Sequence, residues 1–456
     1  LKWNELLNKN LLCDEQKKDA EEDGRSQYQR DFDRIVFSSA FRRLQDKTQV
    51  FPLPESDFVH TRLTHSLEVS CVGRSLGTKA GKIIIERHKE LRSEFKSFHF
   101  GEIAAAACLA HDIGNPPFGH SGEDAISEFF RSGSGARFEK QIDDVKKWND
   151  LTKFEGNAQG FRIITKLQNP NIKGGLRLTH ATLAAFTKYP KESSTLDVKT
   201  SRLKKSKLYK KFGFFQAEKE LFIETAIACG LIKRNDKNTL FWSRHPLAYL
   251  VEAADDTCYR IMDLEDGFHL GLLPFSVTEE LLKPLTGAKP MTGYGGRDDN
   301  DKIGYLRAKA INNVVEEITE AFLDYEKEIL DGTFENDLLS VIKSDEPLKI
   351  IKDVSVEKIY SYKSVVEREA AGYEVLAGLL DTFIAAVNES AESENLSWKN
   401  KTILKLLPKQ FLGVEGKPVE DLYLRLLKIT DFVSGMTDSY AVALFRKIKG
   451  ISLPGR

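Results

Sequence analysis

The residues best able to do chemistry together are two histidines and a few aspartates drawn from three separate apolar stretches. One stretch ends in His111-Asp112-Ile113-Gly114-Asn115-Pro116-Pro117-Phe118-Gly119-His120-Ser121-Gly122-Glu123. His111 and Asp112 would sit about 100° apart on a helix, so they can approach one ion from neighbouring directions. His65 follows Arg62-Leu63-Thr64 on a second stretch, and Asp255 and Asp256 lie among Val251, Ala253 and Ala254 on a third. Each has an ordinary explanation alone: a hydrogen-bonded core histidine, or a surface or capping aspartate. As a set, two imidazoles and two carboxylates form a mixed nitrogen and oxygen donor group. Such a group suits one divalent ion (Mn²⁺, Mg²⁺, Co²⁺, Ni²⁺ or Fe²⁺) better than a closed structural zinc site. Four protein ligands leave positions open for water and substrate, the arrangement a catalytic ion needs.

The elements that must position these groups read as helices. Thr61 to Arg87 places Leu63, Leu67, Val69, Val72, Leu76, Ala80, Ile83 and Ile84 at mostly three- and four-residue steps. Gly101 to His111 is a small-residue apolar helix that the following Gly-Asn-Pro-Pro must stop. Further helices are expected at roughly 157–168, 178–187, 216–229, 246–264, 304–330, 364–388 and 421–447, with Thr48 to Leu53 a candidate strand. The class is mainly α, a multi-helix fold with an additional C-terminal helical region. Residues 286–301 read as a surface loop rich in glycine and aspartate. Residues 198–211 carry seven basic side chains and no acid, which fits a solvated face or a phosphate or nucleic-acid contact.

The bulk composition narrows the function classes. Across 456 residues, 67 Lys and Arg nearly balance 68 Asp and Glu, which argues against a surface tuned as a whole to DNA or anionic lipid. The 41% hydrophobic content supports a large core. No run of about 18 apolar residues predicts a membrane span, and the charged N-terminal stretch does not read as a signal peptide. Five scattered cysteines without a CxxC pair read as reduced thiols, which gives a cytoplasmic expectation.

The order H…HD…D resembles the HD phosphohydrolase superfamily, and within it the bacterial deoxyguanosine triphosphate triphosphohydrolases. The resemblance runs through most of the chain. It includes Arg30-Asp31-Phe32-Asp33-Arg34-Ile35, Phe41 to Phe51, Thr61 to Val69, the His111 to Glu123 run, Phe154-Glu155-Gly156-Asn157-Ala158-Gln159, Glu252 to Tyr259 and Asp263 to Asp266. It implies an enzyme that hydrolyses a dNTP, dGTP in the first place, to a deoxynucleoside and inorganic triphosphate. By resemblance the metal ligands are His65, His111, Asp112 and Asp255. The resemblance favours Asp255 over Asp256, because the family pattern places the ligand four residues before a substrate-contacting tyrosine; Tyr259 fits, and Asp263 four further on shares that helix face. His120 and Glu123 correspond to a catalytic pair, and a histidine oriented by a carboxylate is well poised for proton transfer near neutral pH. The alternatives are a turn-capping histidine and a first-turn helix acid.

The resemblance also assigns Arg62 and Lys188 to phosphate, Tyr259 and Asp263 to substrate, and Gln49 to the base and sugar. Asn157 is a further substrate candidate, with a helix N-cap as its alternative. Expected chemistry is metal-assisted attack of water at the α-phosphorus. No Ser-His-Asp elbow or Walker loop is found. The resemblance divides the chain into an N-terminal segment 1–50 contributing to the nucleotide pocket, an HD core 51–285 and a C-terminal helical region 286–456. It further implies a homo-oligomer, with single-stranded DNA or a dNTP as candidate effector. The other readings are a different HD-type nucleotide phosphohydrolase, or an inactive HD scaffold that binds nucleotide or single-stranded DNA.

Overall fold

The structure is a computed structural model describing residues 1–14, 24–50, 60–193, 211–236, 239–288, 293–393 and 395–452. It is mainly α, as the periodicity predicts. The elements used below are α1 (Gln27–Val36), α2 (Arg62–Arg87), α3 (Ser97–Ala110), α4 (His120–Arg131), α5 (Gly156–Arg162) and α6 (His180–Phe186). They continue with the hairpin β1 (Lys233–Asp236) and β2 (Thr239–Trp242), then α7 (Pro246–His269), α8 (Asp299–Asp324), α9 (Lys363–Glu392), α10 (Leu422–Ser434) and α11 (Asp438–Ile448).

The centre is α2 packed along α3, with α7 laid against both. Small residues permit that approach. A Cβ at Gly77 would stand 2.5 Å from the Phe100 carbonyl oxygen, and one at Gly81 would stand 2.7 Å from the Phe100 ring. Helix starts are marked by local chemistry. Thr61 and Thr64 close a reciprocal capping box at α2. His245 caps α7 by accepting from Leu247 N, and Pro246 follows at the first turn.

Buried side chains form two cores. The first gathers α2, α3, α6, α7 and α8, from Trp3 to Val365; the second gathers Phe118, α4 and most of α9 to α11. α9 is long and apolar enough by composition to cross a membrane, but half of its most apolar stretch is buried and it packs against α4, α10 and α11. The 421–447 stretch, expected as one helix, is two: α10 ends at Ser434, and Thr437 caps a new helix by accepting from Tyr440 N. The helix expected at 157–168 widens to a π turn at Ile163–Leu167. Of the candidate strand at 48–53, Thr48 forms only an isolated bridge to Thr61, and residues 51–53 lie outside the described residues. The hairpin was not expected; its strands are four residues each, too short for alternation to register.

Candidate active site

Three helices deliver the donor groups. α2 carries His65 on its second turn, α3 ends with His111 as its C-cap, and α7 carries Asp255. Ligand atoms of His65, His111 and Asp255 all lie within 4.8 Å of one another. Asp255 Oδ1 is 3.2 Å from His65 Nε2 and 3.3 Å from His111 Nε2. Asp112 stands alongside, with Oδ1 3.4 Å from His111 Nε2. Asp256, one residue on, turns away and lies 3.9 Å from Arg260.

The state of His111 is what makes this a metal-type cluster. Its Nδ1 is 2.6 Å from the Cys108 carbonyl oxygen, which can only accept, so Nδ1 carries the proton. Nε2 is buried and, among the described residues, without a hydrogen-bond partner; burial lowers the His111 pKa, but the charges of Asp112 and Asp255 that Nε2 faces raise it overall. Either a proton on Nε2 or a divalent ion can answer those carboxylates, and an ion bound there would displace the proton. The donor set therefore fits a divalent ion held by His65, His111 and Asp255, with Asp112 as the fourth group.

Cations already crowd the two carboxylates. Lys188 Nζ donates to Asp255 Oδ2 at 2.6 Å, and Arg62 Nη1 donates to Asp112 Oδ2 at 2.7 Å. Burial would raise both acids. For Asp255 the field of Lys188 and His111 outweighs it, and for Asp112 that of His111, Arg62 and His65; both are held well below the usual carboxylate range. Asn115 fixes Asp112 from the other side, donating to Oδ1 at 2.6 Å.

His120 opens α4 directly after Phe118 and Gly119, both at positive φ (65° and 62°). A Cβ at position 119 would come 2.7 Å from Arg62 Nη2, so the turn needs glycine on steric grounds as well. The His120 ring keeps contact with solvent. Partial desolvation, then Lys211 and Arg62, lower its pKa. Glu123 is half-buried, and its Oε1 accepts from Gly156 N at 2.7 Å. No hydrogen bond joins His120 to Glu123 among the described residues.

Asn157 donates through Nδ2 to Glu155 Oε1 at 2.6 Å, and the same oxygen accepts from Lys211 Nζ at 3.1 Å. Burial and the neighbouring Glu123 push Glu155 up to about 7, against the pull of Lys211. Tyr259 and Asp263 follow Asp255 on α7. Tyr360 OH donates to Asp263 Oδ2 at 2.7 Å, and its ring centroid lies 5.7 Å from that of Tyr259. Among the described residues, the buried Gln49 Oε1 has no hydrogen-bond partner.

Lys211, Glu155, Tyr360 and Asn115 were not singled out from sequence. Lys211 closes the basic run, whose residues 198–210 lie outside the described residues. Its adjacency to Phe212-Gly213-Phe214-Phe215, an apolar run that must be buried, was the available signal. Tyr360 sits in a region with no readable motif.

Residues 62–174 match the HD domain family, and residues 343–447 match the phosphohydrolase-associated domain. A deoxyguanosinetriphosphate triphosphohydrolase-like protein of Synechocystis sp. is 45% identical over 99% of this chain and 100% of its own length. One from Listeria innocua is 38% identical over 99% and 100% respectively. A deoxyguanosinetriphosphate triphosphohydrolase of Yersinia enterocolitica is 32% identical over 92% of this chain and 93% of its own. With such identity along nearly the whole chain and an HD domain around the His-Asp cluster, this protein belongs to the deoxyguanosinetriphosphate triphosphohydrolase-like family of metal-dependent HD phosphohydrolases.

Proposed function

We propose that the chain hydrolyses dGTP, and other dNTPs less readily, to the deoxynucleoside and inorganic triphosphate. The observation that supports this best is the unpartnered His111 Nε2 within a compact His65/His111/Asp255 cluster ringed by Arg62 and Lys188. His65, His111, Asp112 and Asp255 would hold one divalent ion, which when bound would supply Lewis-acid stabilisation of the charge that builds up on the attacked phosphate. The nitrogen and oxygen donors suit Mn²⁺, Mg²⁺, Co²⁺, Ni²⁺ or Fe²⁺.

The side chains divide the remaining work. Arg62, Lys188 and Lys211 neutralise the triphosphate, with Asn157 adding an amide donor. Tyr259 helps hold the triphosphate in line, Asp263 is a further substrate contact, and Gln49 meets the base and sugar. His120, with its lowered pKa, is a proton carrier: Nε2 or Nδ1 accepts from the attacking water or donates to the departing 5′-oxygen. Glu123 fixes the Gly156 backbone beside it. Water forms the new bond to the α-phosphorus, the bond from that phosphorus to the 5′-oxygen breaks, and the proton passes to the deoxynucleoside. Positioning and electrostatics supply the rate, with no covalent intermediate.

A homo-oligomer, as the sequence resemblance implies, is part of this reading, as is a cytoplasmic location, for which the free, scattered cysteines are the support. The basic run at 198–211 supports single-stranded DNA as the effector, with a dNTP as the alternative. Salt-sensitive stimulation by added oligonucleotide is the expected result. The decisive experiment incubates each dNTP and GTP with Mn²⁺, Mg²⁺ or Co²⁺ and separates the products. Inorganic triphosphate and deoxyguanosine are expected; pyrophosphate or orthophosphate would place the chain with another HD activity, and no product would make it a binding scaffold.

A further inference from the structure

The turn that presents His120 is strained, and the C-terminal associated region holds it. Phe118 has a φ of 65°, a left-handed conformation that a non-glycine residue keeps only where its surroundings fix it. Two residues on, His120 opens α4. The Phe118 backbone N donates to Asp438 Oδ1 at 3.1 Å, and Asp438 is the first residue of α11. The Phe118 ring rests on α9, where a Cβ at Gly372 would come 3.0 Å from its Cγ. Asp438 and Gly372 both belong to the associated region, remote in sequence from His120.

The Asp438 carboxylate is buried and has a second set of partners. Its Oδ2 accepts from Thr48 N at 3.2 Å and from Thr48 Oγ1 at 2.8 Å. Thr48 in turn bridges to Thr61, the N-cap of α2, the helix that carries Arg62 and His65. One carboxylate therefore ties the start of α4 to the start of α2. Bonds from backbone N–H to a charged carboxylate are roughly twice as strong as neutral ones, which suits a fixed brace. Beside it, Lys47 Nζ donates to the Asn115 and Ser434 carbonyl oxygens, so the junction of α10 and α11 supports the same loop at a second point. Lys47, Arg62 and Arg368 all feel the charge of Asp438.

We propose that Asp438 is a positioning residue: through Phe118 N and Thr48 it sets where His120 stands relative to the His65/His111/Asp255 cluster. The proposal rests on the reading of the chain as a dNTP hydrolase with His120 as proton carrier. It gives the associated region a part in the chemistry, since the ligand groups come from α2, α3 and α7 while the brace of the His120 turn comes from α11.

The test uses the full-length protein in two arms. The first measures dGTP turnover and Mn²⁺ affinity in Asp438→Ala and Asp438→Asn, each with His120 present and with His120→Ala. Asp438→Ala should lower kcat roughly 10- to 100-fold, the worth of a displacement of about 1 Å, with KM and Mn²⁺ affinity nearly unchanged. Asp438→Asn keeps one side-chain acceptor and should recover part of that loss. With His120 already replaced, both changes should be nearly silent, because the group they position is gone. An equal fall with and without His120 would mean that Asp438 acts on the fold or through the charge at Arg62, and overturns the proposal; so does a loss expressed in KM or in Mn²⁺ affinity. The second arm follows amide hydrogen exchange without added metal. The Phe118 amide should exchange slowly in wild type and faster in Asp438→Ala, with residues 62–110 unchanged. Fast exchange at Phe118 in wild type overturns the proposal even if neither variant folds. Failure of the hydrolase reading is seen separately, as absence of triphosphate from every dNTP with wild type, while the exchange arm still decides whether Asp438 holds the turn.

Discussion

At His111 one hydrogen bond decides the chemistry of the site. The Cys108 carbonyl commits Nδ1 as donor, leaving Nε2 as a ligand atom. His111→Ala or Asp255→Ala should therefore abolish tight binding of Mn²⁺, measured by calorimetry, and turnover with it. His120 makes a contrasting case, because it lies outside the ligand cluster. His120→Ala should keep metal affinity while losing about 10² to 10⁴ in kcat, the usual worth of a positioned acid or base. Full activity in that variant would remove His120 from the proton path. Weak metal binding in it would show that the residue holds the ion instead.

At the scale of elements, the site depends on how closely α2 and α3 approach, since these helices carry His65 and His111. Gly77 faces backbone: an added Cβ would meet the Phe100 carbonyl oxygen at 2.5 Å and Gly101 Cα at 2.9 Å. Alanine normally favours a helix over glycine by about 1 kcal/mol. Here overpacking against an unyielding main chain should reverse the sign, so that Gly77→Ala destabilises by about 1 to 3 kcal/mol in urea titration. Stabilisation would mean that the two helices part easily.

These helices were legible because long amphipathic or small-residue runs keep one period over many residues. α2, α3, α7 and α9 all sit where that period places them. The three-helix convergence of His65, His111 and Asp255 could be read because each lies on such a run. What escaped depends on partners remote in sequence. Lys211 reads as one more lysine in a charged stretch until Glu155 is brought beside it. Tyr360 has no local signature, because its role is set by Asp263 on another element. The 421–447 break was hidden because Gly435 to Thr437 interrupts an apolar pattern that resumes in nearly the same phase.

At the scale of the whole molecule, buried polar groups tie the two cores together. Arg162 on α5 is enclosed with Asp431 of α10, with Nη2 to Oδ2 at 2.7 Å, and also pairs with Glu218. Asp431→Ala would leave a buried guanidinium short of a partner and should cost about 3 to 5 kcal/mol.

Asp150 makes a second tie, and this one depends on pH. It is fully enclosed and accepts from Ser193 Oγ at 2.5 Å, Tyr423 OH at 2.6 Å and Gln216 N at 2.7 Å. Burial, helped by Glu218, pushes its pKa up to about 7, against the three hydrogen bonds. A carboxyl with a folded pKa above its unfolded one holds its proton more tightly when folded. Its contribution is therefore complete below the unfolded value of about 4 and is lost as pH rises through about 7. Asp150→Asn has no such proton to lose. Its stability relative to wild type should improve between pH 5 and pH 8 by about 2 to 3 kcal/mol, whatever the offset at pH 5 from altered hydrogen bonding. Urea unfolding of both proteins at the two pH values measures this difference. A constant offset would show that Asp150 is ionised throughout, its three donors outweighing burial.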